Sequence, residues 1–168
     1  MIIGIGGISN SGKSALAERI RKHYDDRKVK VLCQDDFARP TPRIPVINGH
    51  TNWETPESID FDKYYLETLK VKDTHDIVIN EGLFVFYDER LNRLYDKQIY
   101  LTISKETFLT RKRKDLRWGS EPEWYMEHIW NSHRQFMNEV PERTSAFQVS
   151  GEGTPNLGAV IGYLDIQK

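Results

Sequence analysis

The sequence contains almost no cysteine, no long apolar run and no marked excess of either charge. Cys33 is the single cysteine among 168 residues, which excludes an internal disulfide and a cysteine-rich metal site. We find neither a signal peptide nor an apolar run long enough to span a bilayer. The formal net charge of −1 gives no overall field that favours nucleic acid or an anionic membrane. We therefore expect a soluble, cytoplasmic protein that binds neither, with Cys33 as a small core residue.

Internal repeats and low-complexity segments are also absent, and the length fits a single domain over residues 1–168. Apolar runs alternate with helical periodicity, which predicts an α/β fold whose mostly parallel sheet is flanked by helices. Strands are predicted at 1–6, 29–33, 77–80, 98–103 and 146–149. Helices are predicted at 15–24, 58–69, 88–95 and 105–116, in a segment that ends at 140, and at 157–166.

One segment matches a known functional pattern at every fixed position. Residues 7–14 read Gly-Ile-Ser-Asn-Ser-Gly-Lys-Ser and fit the phosphate-binding loop, between a predicted strand and a predicted helix. Glycines let the backbone N–H groups curl around phosphate oxygens, while Lys13 reaches the β- and γ-phosphates and the Ser14 hydroxyl binds Mg²⁺. The predicted nucleotide contacts are Gly7, Ser9, Asn10, Ser11, Gly12, Lys13, Ser14 and Ala15. This loop alone does not separate a kinase from an ATPase or a GTPase switch.

Carboxylates follow two of the predicted strands, where ligands gather in open α/β sheets. Asp35 and Asp36 come directly after the second strand, and Glu81 follows the third. Phosphoryl transfer to a hydroxyl needs a carboxylate that accepts the hydroxyl proton, and we assign this role to Asp35. Asp36 is then a substrate contact or a cap of its own loop. Glu81 is expected near Mg²⁺, the alternative being a glutamate in a surface turn.

The proline-rich segment 38–57 predicts a long loop, and such loops inside compact domains are usually functional or disordered. Within it Glu54 follows Trp53. A carboxylate accepts hydrogen bonds from two adjacent hydroxyls, and an aromatic ring stacks on a base, so this pair suits a nucleoside. The alternative is that Trp53 pins the loop to the core.

Residues 111–117 form a strongly basic run with three interpretations. The first is a lid over about 111–122, in which Arg113 and Arg117 share a helix face, point inward and neutralise transition-state charge. The second is a solvated helix face, and the third, a nucleic-acid patch, is disfavoured by the balanced charge. His133 lies on the apolar stripe of the next helix, which favours a hydrogen-bonded core or edge histidine.

These motifs resemble those of the uridine kinase-like P-loop kinases. Segments 7–14, 34–37, 52–57 and 81–82 come in the order seen in that family. Within the family the chain is most similar to the nicotinamide riboside kinases. Asn-Ser-Gly-Lys and Gln-Asp-Asp-Phe are typical there, whereas uridine kinases tend to have Ala-Ser-Gly-Lys and Gln-Asp-Ser-Phe. Two features depart from the family: Glu54 stands where Asp is usual, and the spacing around Arg117 does not align cleanly with its lid.

The resemblance implies a three-layer P-loop NTPase fold and phosphorylation of a nucleoside 5′-hydroxyl by ATP and Mg²⁺. Nicotinamide riboside is the leading acceptor; the alternatives are a uridine/cytidine kinase, a kinase of another small metabolite, and a non-catalytic nucleotide switch. The resemblance implies Asp35 as catalytic acid/base at the Mg²⁺ ion and Ser14 as a metal ligand. It implies Glu81 at the metal and the substrate, and Glu54 with Trp53 at the ribose and base. It also puts Gly151 and Thr154 near the adenine.

Overall fold

The computed structural model describes residues 1–117, 119–137 and 145–165. In chain order the strands are β1 (Ile2–Gly7), β2 (Val29–Cys33), β3 (Val46–Ile47), β4 (His50–Thr51), β5 (Ile77–Gly82), β6 (Lys97–Thr102) and β7 (Phe147–Ser150). The helices are α1 (Lys13–His23), α2 (Phe61–Lys72), α3 (Glu89–Asn92), α4 (Lys105–Lys114), α5 (Glu123–Met137) and α6 (Leu157–Asp165). Among these described residues, no helix is long and apolar enough to cross a membrane.

Five strands form one parallel sheet in the order β2-β5-β1-β6-β7. The central strand β1 pairs with β5 on one side and β6 on the other, so that Ile5 lies beside Glu81 and Ile99. Because every strand runs in the same direction, their carboxyl ends meet at one edge of the sheet. The phosphate loop leaves β1 at that edge.

Helices cover both faces of the sheet, which confirms the predicted three-layer α/β fold. One face packs against α2 and includes Tyr64, Phe84 and Phe86, while the other packs against α1 and α6. The β1 strand is buried along its whole length, as expected for a continuous apolar run in a parallel sheet. A Cβ on Gly6 would lie 2.6 Å from the Phe86 ring, so glycine there makes room for that aromatic side chain.

The long loop between β2 and α2 contains a small antiparallel hairpin, β3–β4, that the sequence analysis did not predict. Its predicted Asn-Gly turn is confirmed: Asn48 and Gly49 have φ angles of 49° and 79°. Two consecutive left-handed residues are the geometry of a tight hairpin turn. The hairpin folds part of the proline-rich segment back over the carboxyl edge of the sheet.

The second helix begins at Phe61 instead of the predicted residue 58. Its buried residues are Tyr64, Thr68 and Val71, whereas Leu66 is 62% exposed. Thr68 occupies a core position because its hydroxyl donates to Tyr64 O (2.9 Å) and accepts from Asn80 Nδ2 (3.0 Å). These hydrogen bonds allow a polar side chain to be buried in the core. A pattern of apolar residues in the sequence cannot predict such a position.

Two smaller predictions also need correction. The fourth helix ends at Lys114, two residues before its predicted end, because Asp115 has an extended backbone. Cys33 is half-buried at the end of β2, not fully in the core, and burial raises the pKa of its thiol to about 12. The predicted ends of the last two helices, at 140 and 166, lie outside the described residues. The prediction of a hydrogen-bonded core or edge histidine is confirmed for His133, which is half-buried with its Nε2 2.8 Å from Tyr100 Oη.

Candidate functional site

The phosphate loop has a backbone that its glycines make possible. Gly7 and Gly12 have φ angles of 144° and 99°, and Asn10, a residue type that tolerates the left-handed region, has a φ of 60°. A Cβ on Gly7 would lie 2.6 Å from Leu101 O, so a side chain there would collide with β6. Lys13 Nζ donates to Ile8 O (2.9 Å) across the loop. This hydrogen bond closes the loop and holds the Lys13 side chain against it.

A cavity of about 830 Å³ opens beside this loop, within the usual size range of small-molecule sites. It is bounded by the ends of β2 and β5, the β3–β4 hairpin, the segment 53–59 and the segment between α4 and α5. The residues from the sequence prediction that line it are Ser9, Asn10, Gly12, Lys13, Ser14, Ala15, Asp35, Trp53, Glu54, Glu81 and Arg117. Separate stretches of the sequence therefore meet around one space.

Other predicted residues lie outside this cavity lining. Asp36 is exposed and does not line the cavity, so its role as a substrate contact stays a prediction. Gly7 and Ser11 belong to the phosphate loop but are buried. Gly151 packs against the loop, since a Cβ on Gly151 would lie 2.5 Å from Ser11 O. Thr154 is exposed.

The prediction that Arg113 points inward beside Arg117 is wrong. Helix α4 ends at Lys114, so the two arginines do not share a helix face. The Arg113 guanidinium instead binds the Glu123 carboxylate, with Nε–Oε1 at 2.8 Å and Nη2–Oε2 at 2.9 Å, and both side chains are exposed. Of these two arginines, Arg117 is the one that lines the cavity.

Oxygen ligands meet at the phosphate-loop end of the cavity. Ser14 Oγ donates to Glu81 Oε1 (2.9 Å), and Glu81 is almost fully buried at the end of β5. Desolvation raises the pKa of Asp35, although Lys13 opposes the rise. Burial likewise lowers the pKa of Lys13, opposed by Glu81 and Asp35. These groups form a compact set of opposite charges.

The same groups satisfy the requirements of a Mg²⁺ site. A hydroxyl and two carboxylates are the hard oxygen donors that Mg²⁺ prefers, and this ion usually takes its remaining ligands from water and substrate phosphates. No group of three or more histidine, cysteine or acidic side chains forms a complete metal cage within the described part of the chain. Ser14, Asp35 and Glu81 therefore fit a Mg²⁺ ion bound together with a nucleotide.

A chain of polar contacts ties the loop to the segment after α4. Asn10 Nδ2 donates to Asp115 Oδ2 (2.9 Å), and Asp115 also accepts two hydrogen bonds from the Arg117 guanidinium, at 2.8 Å and 2.6 Å. The pKa of Asp115 is held well below its usual range, mainly by Arg117. Arg117 is thereby held at the cavity while most of its side chain stays exposed.

Arg111 makes a second connection, between the phosphate loop and the turn after β7. Its Nη1 donates to Asn10 O (3.0 Å), and its Nη2 donates to the backbone oxygens of Gly151 (2.7 Å) and Glu152 (2.8 Å). One guanidinium thus satisfies three backbone acceptors from two loops. Arg111 belongs to the basic run, but no pattern in the sequence indicated this role.

The opposite end of the cavity combines aromatic rings with buried charges. Trp53 is 43% exposed, which argues against its pinning the loop to the core. Tyr125 does pin it: the Tyr125 hydroxyl donates to Thr51 O (3.1 Å) and accepts from the Trp53 backbone N–H (3.3 Å). Glu54 is 9% exposed, and burial raises its pKa to about 7.

Lys112 also lies at this end, with its Nζ 3.1 Å from Glu121 Oε1. Five residues that build the site are not among the predicted site residues: Arg111, Lys112, Asp115, Glu121 and Tyr125. Lys112 was hidden among neighbouring basic residues. A spacing signal existed, because Lys112 lies four residues after the fully buried Phe108 and therefore on the same helix face.

Replacement of Arg111 by methionine is expected to weaken binding of a nucleoside triphosphate about tenfold. Hydrogen bonds from a charged donor contribute roughly 1.5–3 kcal/mol, and their loss frees the loop and the turn to move apart. Titration calorimetry with ATP measures the change. Arg113→Met is the matched control on the same helix, because Arg113 faces Glu123 and solvent. An equal loss of affinity in both variants would contradict the role of Arg111.

Comparison with known proteins gives consistent results. Nicotinamide riboside kinase 1 of Mus musculus is 27% identical over 159 aligned residues, which cover 83% of this chain and 80% of that protein. A uridine kinase of Geobacillus kaustophilus is also 27% identical, over 191 residues covering 95% and 90%. The structure of shikimate kinase from Bacteroides thetaiotaomicron matches the fold with a TM-score of 0.65 at 16% identity, over 99% of both chains.

The family model described as phosphoribulokinase / uridine kinase matches residues 60–145. This match covers just over half of the chain and extends from the start of α2 to the residues before β7. The two relatives and the solved structure described above are named as kinases of nicotinamide riboside, uridine and shikimate. The chain belongs to the phosphoribulokinase/uridine kinase family of P-loop kinases.

Proposed function

We propose that this protein transfers the γ-phosphoryl group of ATP to the 5′-hydroxyl of a nucleoside, with nicotinamide riboside as the leading acceptor. The observation that carries the proposal is the continuous cavity that joins the phosphate loop to an aromatic and acidic end. One end suits a triphosphate, and the other suits a flat ring with hydroxyl groups. Residues 1–168 act as a single domain in this proposal.

Each side chain given a role in the transfer step lines this cavity. The loop N–H groups and Lys13 bind the β- and γ-phosphates, which sets the γ-phosphorus in line with the incoming hydroxyl. Asp35 accepts the hydroxyl proton as the new bond from oxygen to phosphorus forms and the bond to the ADP oxygen breaks. Arg117 stabilises the charge on the transferred group. Gly151 and Thr154 are proposed to lie near the adenine.

Mg²⁺ is proposed to bind at Ser14, Asp35 and Glu81, where the donor set fits it. When bound, the ion neutralises charge on the phosphate oxygens. The Ser14 hydroxyl, which donates to Glu81 in this structure, would then turn its lone pairs towards the metal. Glu81 would hold that hydroxyl in place.

The choice of acceptor rests on the motifs and not on overall similarity. The curated relatives include nicotinamide riboside kinases and uridine kinases at the same 27% identity. The Asn-Ser-Gly-Lys and Gln-Asp-Asp-Phe sequences support the riboside of nicotinamide. Glu54, with Trp53, is proposed to bind the ribose hydroxyls and the base. A uridine or cytidine kinase is the second candidate.

A coupled ADP-release assay with nicotinamide riboside, uridine, cytidine and pantothenate tests the proposal. We expect the highest kcat/KM with nicotinamide riboside and the lowest with pantothenate, which has no ribose. Faster turnover of uridine would replace the leading acceptor by the second candidate. Binding of ATP without ADP release for any of the four would overturn nucleoside phosphorylation.

A further inference from the structure

Three charged side chains are enclosed together at the acceptor end of the cavity. Glu54 is 9% exposed, and the side chains of Lys112 and Glu121 are 7% and 21% exposed. All three line the cavity. Charged groups are seldom buried unless they are paired, because removal from water is unfavourable for each ion. Because these charges are enclosed in a binding cavity, we looked for a ligand that would compensate them.

The pairing within this group is incomplete. Lys112 Nζ lies 3.1 Å from Glu121 Oε1, but Glu54 Oε2 and Glu121 Oε2 have no hydrogen-bond partner among the described residues. Within this group two carboxylates thus share one ammonium group. Lys13 and Asp35 also act on Glu54, but their opposite charges offset each other. Arg117 does not supply the missing cation, because its guanidinium is bound to Asp115 through two hydrogen bonds.

The excess negative charge lies beside aromatic rings. Trp53, Tyr125 and His50 line the same part of the cavity, and the His50 and Tyr125 rings are stacked with centroids 5.7 Å apart. Aromatic faces attract cations, and a flat cationic ring can stack on them while its charge compensates a nearby carboxylate. A neutral base would satisfy the rings but would leave the carboxylates uncompensated.

We propose that Glu54, Lys112 and Glu121 form an acceptor subsite with a net negative charge that selects a nucleoside whose base is positively charged. The inference deepens the proposed function and rests on it for the acceptor being a nucleoside. It assigns substrate specificity to the ion pair between Lys112 and Glu121. The transfer step itself does not require this ion pair. N-glycosides of pyridinium rings have this charge, whereas pyrimidine nucleosides are neutral.

A charge series in the subsite tests the proposal. Glu121→Gln makes the charge of the three residues neutral, Lys112→Met makes it −2, and the double variant K112M/E121Q returns it to −1. We expect the preference for nicotinamide riboside over uridine, as a ratio of kcat/KM, to fall about tenfold in E121Q and to rise in K112M. In the double variant, which contains no unpaired buried lysine, the ratio should return to near the wild-type value. KM for ATP should change less than twofold throughout.

Burial raises the pKa of Glu54 to about 7. Assays are therefore run at pH 8, which lies above this pKa, so that Glu54 is ionised. Glu123→Gln is the matched control, because Glu123 is exposed and paired with Arg113 outside the cavity. It should leave the ratio unchanged. If E121Q and K112M shift the ratio in the same direction, or if the double variant behaves like E121Q, a selective charge is excluded and the ion pair is only structural.

A binding measurement separates this inference from the proposed function. The cation 1-methylnicotinamide and neutral nicotinamide are titrated without ATP, and quenching of Trp53 is isolated by comparison with Trp53→Phe. We expect the affinity for the cation to follow the charge series and the affinity for nicotinamide to stay constant. This result without riboside turnover would overturn the proposed function but support the charged subsite. Equal responses of the two probes would overturn the subsite.

Discussion

Asp35→Asn is expected to lower kcat by roughly 10²–10⁴-fold while ATP binding stays nearly unchanged, because the proposed proton acceptor is removed. Asparagine is close in size and still forms hydrogen bonds, but it cannot take a proton from a hydroxyl at neutral pH. Lys13 and the loop N–H groups, which bind the phosphates in the proposed reaction, remain. The loss should therefore appear in the chemical step.

The position of Asp35 is fixed by the residue before it. Gln34 is fully buried, and its Oε1 accepts a hydrogen bond from the Phe84 backbone N–H (2.8 Å), which ties the end of β2 to the segment after β5. A Cβ on Gly82 would lie 2.3 Å from Gln34 Cβ, so glycine is needed for this close approach. These contacts hold the backbone that carries Asp35 at the edge of the cavity, while the Asp35 side chain itself is exposed.

Asp36→Asn is the matched control for this prediction. It removes the same charge one residue further along, where the side chain is exposed and outside the cavity. Rates come from ADP release at saturating acceptor, and ATP affinity comes from titration calorimetry. A D35N variant that keeps kcat within threefold of the wild type, or a D36N variant that loses as much, would remove Asp35 from the proposed role.

The sheet and the phosphate loop could be predicted because each has a local signature. Ile77, Val78 and Ile79 in β5 are apolar on both faces of the sheet, as expected for a parallel strand between two helix layers. The fixed glycines and Lys13 of the loop are dictated by its backbone. Because parallel strands end at one edge, the meeting of Asp35 and Glu81 near the loop also followed from topology alone.

The lid and the acceptor end could not be predicted to the same extent, because they depend on where elements end. Helix α4 ends two residues earlier than its pattern suggested. Arg113 in its last turn binds Glu123, and Arg117 lies beyond the helix. The contact of Arg111 with Gly151 joins residues 40 positions apart, for which a single sequence contains no signal. Charge alone did not show which cations face inward.

Glu54→Gln is expected to stabilise the protein at alkaline pH. Burial raises the pKa of Glu54 from an ordinary 4.5 to about 7, so the folded state binds this proton more tightly than the unfolded state. The stability contributed by the protonated form is complete below about pH 4.5 and is lost as the pH rises through 7. The loss amounts to roughly 3 kcal/mol above pH 7. Glutamine stays neutral and should not show it.

Urea unfolding between pH 4.5 and 8.5 measures this difference. The free energy of unfolding of E54Q minus that of the wild type should grow across this range and level off above pH 7. Glu57→Gln is the control with the opposite sign. A hydrogen bond from Thr55 lowers the pKa of the exposed Glu57, so its replacement should not stabilise the protein at any pH. A constant difference for E54Q over the whole range would show that Glu54 titrates normally.

The same substitution should impair the acceptor site that it stabilises. An ionised carboxylate that accepts two hydroxyl hydrogen bonds contributes roughly 3 kcal/mol, so KM for the nucleoside should rise about 100-fold in E54Q while KM for ATP stays near the wild-type value. In the wild type, acceptor affinity should fall as the pH drops below 7, because Glu54 then becomes protonated. A purely structural glutamate would gain stability on replacement without losing acceptor affinity. Opposite effects on stability and on KM are thus the signature of a carboxylate kept buried for its ligand.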